Sequence, residues 1–213
     1  MIDLATFLLF LLAVLTLFLS PGPNMAFVMS HGMAYGPRGG LAAALGIGSA
    51  DVVLTVLTAT GVTAMVFAWS ASFDVLRIAG AAYLMWLAIK TLRAPAHALA
   101  PGPSQANLAF CTIAKNAMLG SLINPKALLF FMVFLPQFVN PAGGHIALQL
   151  VTLGLSLSAA SVVFNWALGS FSGQIGKLLQ RHPRAATLQK WLLSSVLAAL
   201  AVRMFFTDRP VSR

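Results

Sequence analysis

Long stretches of this chain carry no charged side chain. Residues 4–37 contain no Asp, Glu, Lys or Arg, and residues 40–67 contain only Asp51. A helix needs about 20 mostly apolar residues to cross the roughly 30 Å hydrocarbon core of a bilayer, so both stretches are long enough. Charged residues make up 8% of the chain, about a third of the share usual in soluble domains. The chain is therefore predicted to be a polytopic membrane protein, which excludes a soluble enzyme and a nucleic-acid-binding protein.

Apolar stretches of this kind recur along the whole sequence and predict an all-α fold with six transmembrane helices in one integral membrane domain, residues 1–213. The first stretch follows no Lys or Arg and precedes no small-x-small cleavage site, so it is interpreted as a mature helix rather than a signal peptide. The predicted spans are residues 4–37, 40–67, 72–92, 112–139, 145–170 and 191–206.

Basic residues are divided unevenly between the two faces that six spans define. One face carries eight, and the other carries four together with three of the four acids. Because Lys and Arg accumulate in cytoplasmic loops, the richer face is predicted to be cytoplasmic and both termini to lie outside. The net charge of +9 has the same explanation. The eight are Arg38, Lys90, Arg93, Lys115, Lys177, Arg181, Arg184 and Lys190.

The two halves of the sequence match each other at a fixed shift. Residues 20–40 align without a gap on residues 124–144, a shift of 104 positions that superimposes two prolines and two glycines. A repeat of three spans crosses the membrane an odd number of times, so its second copy is expected to be inverted. The predicted boundaries are repeat 1 at about 1–93, a loop at about 94–111 and repeat 2 at about 112–213.

Prolines inside the first and fourth spans predict broken helices at equivalent places in the two repeats. Proline removes a backbone donor and clashes with the preceding turn, and such a break persists in hydrocarbon only where protein or a watery cavity covers it. Each break exposes the first turn of a second half-helix, which attracts a carboxylate. Inverted repeats with interrupted helices point to a midplane binding site. The predicted substrate-binding residues are Pro21, Gly22, Pro23, Asn24, Asn124, Pro125, Lys126 and Gln137.

Asp51 is the one acid inside a predicted span. It lies twelve residues after Gly39, roughly 18 Å deep at about 1.5 Å per residue, past the middle of a core about 30 Å thick. An ionised carboxylate there is costly without water, a cation or a bound ammonium. Asp51 is therefore predicted to couple transport to protons or to pair with the substrate's ammonium, while a hydrogen bond between helices is the structural alternative.

Other polar residues near the breaks leave alternatives open. Lys126 is expected to attract a substrate carboxylate, to pair with Asp51 or to snorkel to an interface. Asn24 and Asn124 are interpreted mainly as caps of freed backbone groups. Gln137 is expected either to line an entrance to the binding site or to form a hydrogen bond with a neighbouring residue.

Other features of the sequence favour structural roles. The lone His31 is interpreted as a capping or interfacial residue, and no metal site or cofactor is expected. The GxxxG-spaced glycines, which include Gly32, Gly36 and Gly40, fit either packing within the monomer or a homodimer.

The chain resembles the LysE-type translocators, the lysine-exporter and homoserine/threonine-resistance family of bacterial amino-acid effluxers. One departure is Ala88, where the family pattern leads us to expect glycine in the third span. The resemblance covers nearly the whole chain and rests on Ser20-Pro21-Gly22-Pro23-Asn24, Gly80-Ala81-Ala82-Tyr83-Leu84, Asn124-Pro125-Lys126-Ala127 and Phe134-Leu135-Pro136-Gln137-Phe138, with glycines around the second span.

The resemblance implies a secondary exporter of amino acids or close derivatives, driven by protons or another coupling ion, in the inner membrane of a bacterium. Together with the asymmetry of the basic residues, it predicts that both termini are periplasmic. A metal-ion exporter of similar architecture would need several carboxylate or His ligands, and one intramembrane Asp is too few. An intramembrane enzyme or redox carrier would need paired carboxylates, a cysteine pair or a His cluster, and the sequence offers none of these. The protein is therefore not expected to be an enzyme.

Overall fold

The computed structural model describes residues 2–20, 22–68 and 108–175, together with single positions and short pairs between 78 and 93 and between 187 and 202. Regular secondary structure in this part of the chain is helical, without strands, as the sequence predicts. Pro21, the loop at 94–107 and most of the predicted third and sixth spans lie outside the described residues. The six-span count and the inversion of the repeats therefore stay predictions.

The first predicted span is a broken helix, as its prolines indicate. Helix α1, Leu4–Leu19, begins with Asp3 as its N-cap, whose side chain accepts a hydrogen bond from the Thr6 backbone at 2.9 Å. It ends at Ser20, whose extended backbone (φ −72°, ψ 122°) leaves the helix. The chain becomes helical again at Pro23, because proline is well placed in a first turn, where no backbone donor is needed.

Helix α2, Pro23–Ala68, contains a sharp kink that separates the end of the first span from the second. Gly36 has φ +64° and ψ −156°, a backbone conformation that glycine adopts without steric cost. The next residue, Pro37, lacks an N–H donor and starts the helix anew. Gly32 and Gly40, four residues to either side of the kink, both lie against Gly169. The chain therefore folds sharply at Gly36.

The fourth predicted span is also broken. Helix α3, Phe110–Leu122, and the stretch Pro125–Phe138 meet at a bend of 55°. Asn124 lies at the bend and caps the second piece by accepting from the Lys126 backbone N–H at 3.0 Å. That piece begins as α4, Pro125–Leu129, and continues through a π-helical turn and a 3-10 turn to Phe138. Both predicted proline breaks are confirmed.

Helix α5, Ile146–Ser170, matches the predicted fifth span. A tight turn precedes it, with positive φ at Gly144 (66°) and His145 (51°). Gln149 holds this turn: its amide nitrogen donates to the carbonyls of Asn140 and Gly144, and its amide oxygen accepts from the Asn140 N–H. The orientation of α5 is thereby tied to the end of the fourth span.

Two helices of the described part are long and apolar enough to cross a membrane, Pro23–Gly61 and Ile146–Ser170. A third span results if the bent pair Phe110–Leu122 and Pro125–Phe138 is counted as one. Leu4–Leu19 is apolar but shorter.

Glycines let α2 touch its neighbours at backbone distance. A side chain at Gly40 would collide with the backbone of Gly169 on α5, and one at Gly46 would collide with Ala114 on α3. Near the other end of the α2–α5 contact, a side chain at Gly154 would overlap Thr55. Gly32, Gly40 and Gly169 thus serve packing within the monomer, one of the two readings their spacing allowed.

Two apolar clusters flank the helix breaks. The first gathers α1, the end of the fourth span and α5 around Phe10, Phe130 and Phe134. The second joins α2 and α3 around Met25, Ile47 and others. The aromatic side chains of the run after α4 lie mainly in the first cluster, where the π-helical turn lets Phe130, Phe131 and Phe134 all face inward.

Candidate functional site

The two helix breaks, about 100 residues apart in sequence, are in direct contact. The side-chain amide of Asn124 donates to the Asn24 amide oxygen at 2.9 Å, and the Asn24 amide nitrogen donates to the Ser121 hydroxyl at 2.9 Å. Asn124 is thus a helix cap, as predicted, and also a bridge between the breaks. Asn24 lies within the first turn of α2 and acts as a bridge.

Lys126 belongs to the second broken helix and provides a hydrogen-bond donor to the carbonyl end of the first. Its ammonium donates to the carbonyl oxygens of Leu17 at 3.0 Å and Ser20 at 2.7 Å, which belong to the end of α1. A helix that stops leaves its last carbonyls without intrahelical donors, and a cation suits the negative end of the helix dipole. The Lys126 ammonium therefore bonds to the end of α1, and its roles toward a substrate carboxylate, Asp51 or an interface stay predictions.

Gly22 lies beside this lysine. A Cβ atom at Gly22 would lie 3.5 Å from Cδ and 3.6 Å from Nζ of Lys126. Positions 22 and 126 are equivalent at the 104-residue shift. One half of the sequence thus contributes the cation, and the equivalent position of the other half lies in contact range of it.

Asp51 lies in the second part of α2 and is 4% exposed. Its Oδ2 atom is shielded and has no hydrogen-bond partner within the described part of the chain. Because a buried carboxylate oxygen without a partner is costly when ionised, Asp51 has an open position for a proton or a cation.

A cavity of about 70 Å³ lies between the breaks, Asp51 and α5. Its volume is several times the roughly 10–15 Å³ that one water needs by this kind of measure. The first turns of α2 and α4 both border it, through Asn24 and Met25 and through Lys126 and Ala127. The other lining residues are Leu17, Phe18, Ser20, Gly22, Ile47, Asp51, Asn124, Phe130, Phe131, Leu157, Ser161 and Asn165.

Most of the predicted site residues converge on this cavity, although their roles in binding stay predictions. Gly22, Asn24, Asp51, Asn124 and Lys126 all line it.

Three further predicted site residues lie beside the cavity or away from it, and one is not described. Pro23 and Pro125 begin the two half-helices and are not among the lining residues. The side chain of Gln137 donates to the Val133 carbonyl at 3.0 Å and does not border the cavity. Its predicted place at an entrance stays a prediction, and Pro21 is outside the described residues.

Sequence reasoning missed the contribution of α5. Ser161 and Asn165 are buried residues of this helix and line the cavity opposite the breaks. A signal was present, because Ser158, Ser161 and Asn165 follow helical spacing along one face of a mostly apolar span. Polar residues on one face of a membrane helix face its protein neighbours rather than lipid.

His31 has a structural role in the part of α2 before the kink. Its ring stacks on Phe27 at a centroid distance of 4.0 Å, and Nδ1 lies 2.9 Å from the Phe27 carbonyl oxygen. This agrees with the local role inferred for a lone histidine.

Apolar spanning helices interrupted around a polar cavity are characteristic of membrane transporters. The model of the LysE type translocator family matches residues 15–207. The chain therefore belongs to the LysE type translocators and is a membrane transporter rather than an enzyme.

Several bacterial relatives align with nearly the whole chain. A leucine efflux protein of Enterobacter sp. (strain 638) is 32% identical over 193 residues, covering 87% of this chain and 88% of the relative. A leucine efflux protein of Klebsiella pneumoniae is 31% identical and covers 93% of each chain. An uncharacterized membrane protein of Vibrio cholerae is 29% identical, covering 91% of this chain and 93% of its own. No solved structure matches the chain.

Proposed function

We propose that the protein exports amino acids from the bacterial cytoplasm across the inner membrane, with each export step coupled to inward proton movement. The observation that carries the proposal is the composition of one cavity. A carboxylate, an ammonium group, two half-helix N-termini and an apolar wall surround the same space. A zwitterionic amino acid has complementary groups for all of them.

The carboxylate of the substrate is expected to bind at the breaks. The first turns of helices have N–H groups without intrahelical acceptors, and the turns that begin at Pro23 and Pro125 both border the cavity. The Lys126 ammonium lies at the same wall and adds positive charge. In an environment without bulk water, these groups favour an anion strongly.

Asp51 is proposed to carry the coupling proton. It is buried, borders the cavity and has the unpartnered Oδ2 atom described above. Proton uptake at Asp51 would neutralise the site after substrate release, and proton loss would restore the negative charge. Intramembrane acids in transporters typically serve such relays.

Leucine and similar neutral aliphatic amino acids are the substrates we propose to test first. Two of the similar proteins are leucine efflux proteins by name. Asp51 and Lys126 are the charged residues among those described around the cavity, so the site offers no further counter-charge for a basic or acidic side chain. Leu17, Phe130 and Leu157 provide an apolar surface instead.

The orientation we propose has six spans, two inverted repeats and both termini in the periplasm, as the basic residues predict. Reporter fusions at residue 213 and in the loops near Gln105 and Arg181 test this orientation. Periplasmic activity is expected at residue 213 and cytoplasmic activity in the two loops. The opposite pattern would reverse the topology.

The decisive test of function is export from cells loaded with a leucine-containing dipeptide, with and without a proton uncoupler. The natural protein should lower intracellular leucine, and the uncoupler should stop this. Asp51→Asn keeps the shape of the side chain but cannot exchange a proton, so it should reach the membrane with nearly unchanged thermal stability and lose uncoupler-sensitive export. Normal export with normal uncoupler sensitivity in this variant would return Asp51 to a packing role.

A further inference from the structure

The carbonyl end of α1 is bonded to a positive charge that comes from the other broken helix. The Lys126 ammonium donates to the backbone oxygens of Leu17 at 3.0 Å and of Ser20 at 2.7 Å. Leu17 is 8% exposed and Ser20 is 1% exposed, and all three residues line the cavity. A single positive charge therefore lies against backbone carbonyls at the point where a membrane helix unwinds.

Backbone oxygens in this position are the ligands that bind sodium ions in other transporters. In secondary transporters with interrupted helices, the carbonyl ends of half-helices and the unwound backbone beside them coordinate Na⁺, whereas the N-terminal ends bind the anionic group of the substrate. In this protein the first turns of α2 and α4 and the carbonyl end of α1 all border one cavity. The group bonded to that carbonyl end is an ammonium, which has the same charge as Na⁺ and only donates to oxygen.

The second broken helix ends without such a cation from the equivalent position. At the end of α3 the Ile123 N–H donates to the Leu119 carbonyl at 3.2 Å, and the Asn124 N–H donates to the Ser121 carbonyl at 3.1 Å. Position 22, the equivalent of position 126 at the 104-residue shift, is a glycine, which has no side chain that could reach a carbonyl. The lysine is therefore a feature of one break and not a general requirement for ending a helix of this kind.

We propose that the Lys126 ammonium is a built-in cation, which takes at the carbonyl end of α1 the position that Na⁺ takes in sodium-coupled transporters, and that the protein therefore transports its substrate without Na⁺. A tethered ammonium cannot leave with the substrate, so it supplies its charge throughout the cycle and carries none across the membrane. The inference deepens the proposed function, on which its transport measurement rests. Its binding measurement is independent of transport.

Two substitutions at position 126 separate the charge of the lysine from the space that its side chain fills. Lys126→Ala removes the ammonium and most of the carbon chain, so the oxygens of Leu17 and Ser20 should become accessible from the cavity that both residues line. Lys126→Met removes the same charge but keeps a long side chain. Only the alanine variant is therefore expected to bind a small cation from solution.

The binding measurement is thermal unfolding of the purified full-length protein in detergent, in sodium, methylammonium or N-methylglucamine chloride at equal ionic strength. Lys126→Ala should be less stable than the natural protein in N-methylglucamine chloride. Na⁺ and methylammonium should each raise its melting temperature by about 3–6 °C at roughly ten times the dissociation constant. The natural protein and Lys126→Met should each melt at one temperature in all three salts.

The transport measurement uses the natural protein in proteoliposomes. Uptake of radiolabelled leucine driven by an imposed proton gradient should proceed at the same rate with sodium chloride on both sides as with N-methylglucamine chloride. A requirement for Na⁺ would overturn the proposal, and this measurement stays decisive if Lys126→Ala does not fold.

Three results of the unfolding experiment would also overturn the proposal. Lys126→Ala could show no response to Na⁺, or Lys126→Met could respond as strongly as Lys126→Ala. A response of Lys126→Ala to methylammonium alone would reveal a pocket specific for ammonium and contradict the equivalence with Na⁺.

Failure of this inference is distinguishable from failure of the proposed function. Stabilisation of Lys126→Ala by Na⁺, together with no leucine transport by the natural protein, would remove the proposed function and leave the cation position. Leucine transport by the natural protein, together with an unresponsive Lys126→Ala, would remove only this inference.

Discussion

At the Gly40 end of the α2–α5 contact the backbones of the two helices touch, whereas elsewhere along the same contact polar side chains border a cavity. Gly40 lies against Gly169 at one end, and Gly154 lies against Thr55 at the other. Asp51 and Ser161 occupy the stretch between them. The same two helices thus pack closely at glycines and also border a polar cavity.

The difference shows how a membrane protein holds a buried acid in place. Helices in lipid gain little from the hydrophobic effect, so their association depends on close packing and hydrogen bonds. A Cβ atom at Gly40 would have to displace the backbone of Gly169, and one at Gly154 would overlap the side chain of Thr55. We infer that these ends keep the spacing of the middle constant, so that a polar pair and a cavity can persist there.

The largest effect is expected when a bulky side chain replaces a glycine that contacts the neighbouring backbone. Gly40→Val would place side-chain atoms where the backbone of Gly169 lies, and overpacking a close contact costs about 1–3 kcal/mol or more. Little folded protein should reach the membrane, as measured by size-exclusion chromatography of detergent extracts. Gly120→Val is the control, because a side chain at Gly120 would meet nothing among the described residues. Equal folded yields from the two variants would show that the ends of the contact are not rigid.

An intermediate effect is expected from Lys126→Met, which changes a residue that lines the cavity. The carbonyls of Leu17 and Ser20 would lose their shared donor, which should lower stability by about 1–3 kcal/mol and raise the KM for leucine. Thermal unfolding in detergent and transport assays measure the two effects. Lys115→Met changes an exposed lysine on α3 and should alter neither. An unchanged melting temperature in Lys126→Met would mean that the ammonium is not needed to finish α1.

The smallest effect is expected from Gly22→Ala, which makes a conservative change beside the cavity. The added methyl would lie in ordinary contact with Lys126, 3.5 Å from its Cδ, so stability should change by less than about 1 kcal/mol. Gly40→Ala makes the same replacement at a position 2.8 Å from the Gly169 Cα and should be clearly more destabilising. A reversed order of melting temperatures would contradict the contrast between the two regions.

Several features of the site were predictable because they depend on local chemistry. Pro23 and Pro125 cannot continue the helices that precede them, so both breaks follow from the sequence, and the 104-residue shift indicates that they are equivalent. The depth of Asp51 follows from counting residues along an apolar span. The first span was predicted to end at Pro37, and the chain kinks at the residue before it, Gly36.

The partners of these residues were not predictable. Lys126 had three plausible destinations, and the structure shows a fourth, the carbonyl end of α1. Asn24 was interpreted as a local cap but bonds across to Ser121. These contacts join residues about 100 positions apart, and no local pattern specifies which face of one helix meets which face of another.

The sequence by itself determined where the chain is apolar, where its helices must stop and which acid lies deep in a span, because backbone chemistry and side-chain solubility act at each position alone. Only the tertiary structure decided that the two breaks touch, that Lys126 completes α1 and that Ser161 and Asn165 line the same cavity as Asp51. The physical reason is that these arrangements follow from the shape of helix surfaces. Glycines set how closely the helices approach, and the approach selects which polar groups fall within hydrogen-bond distance.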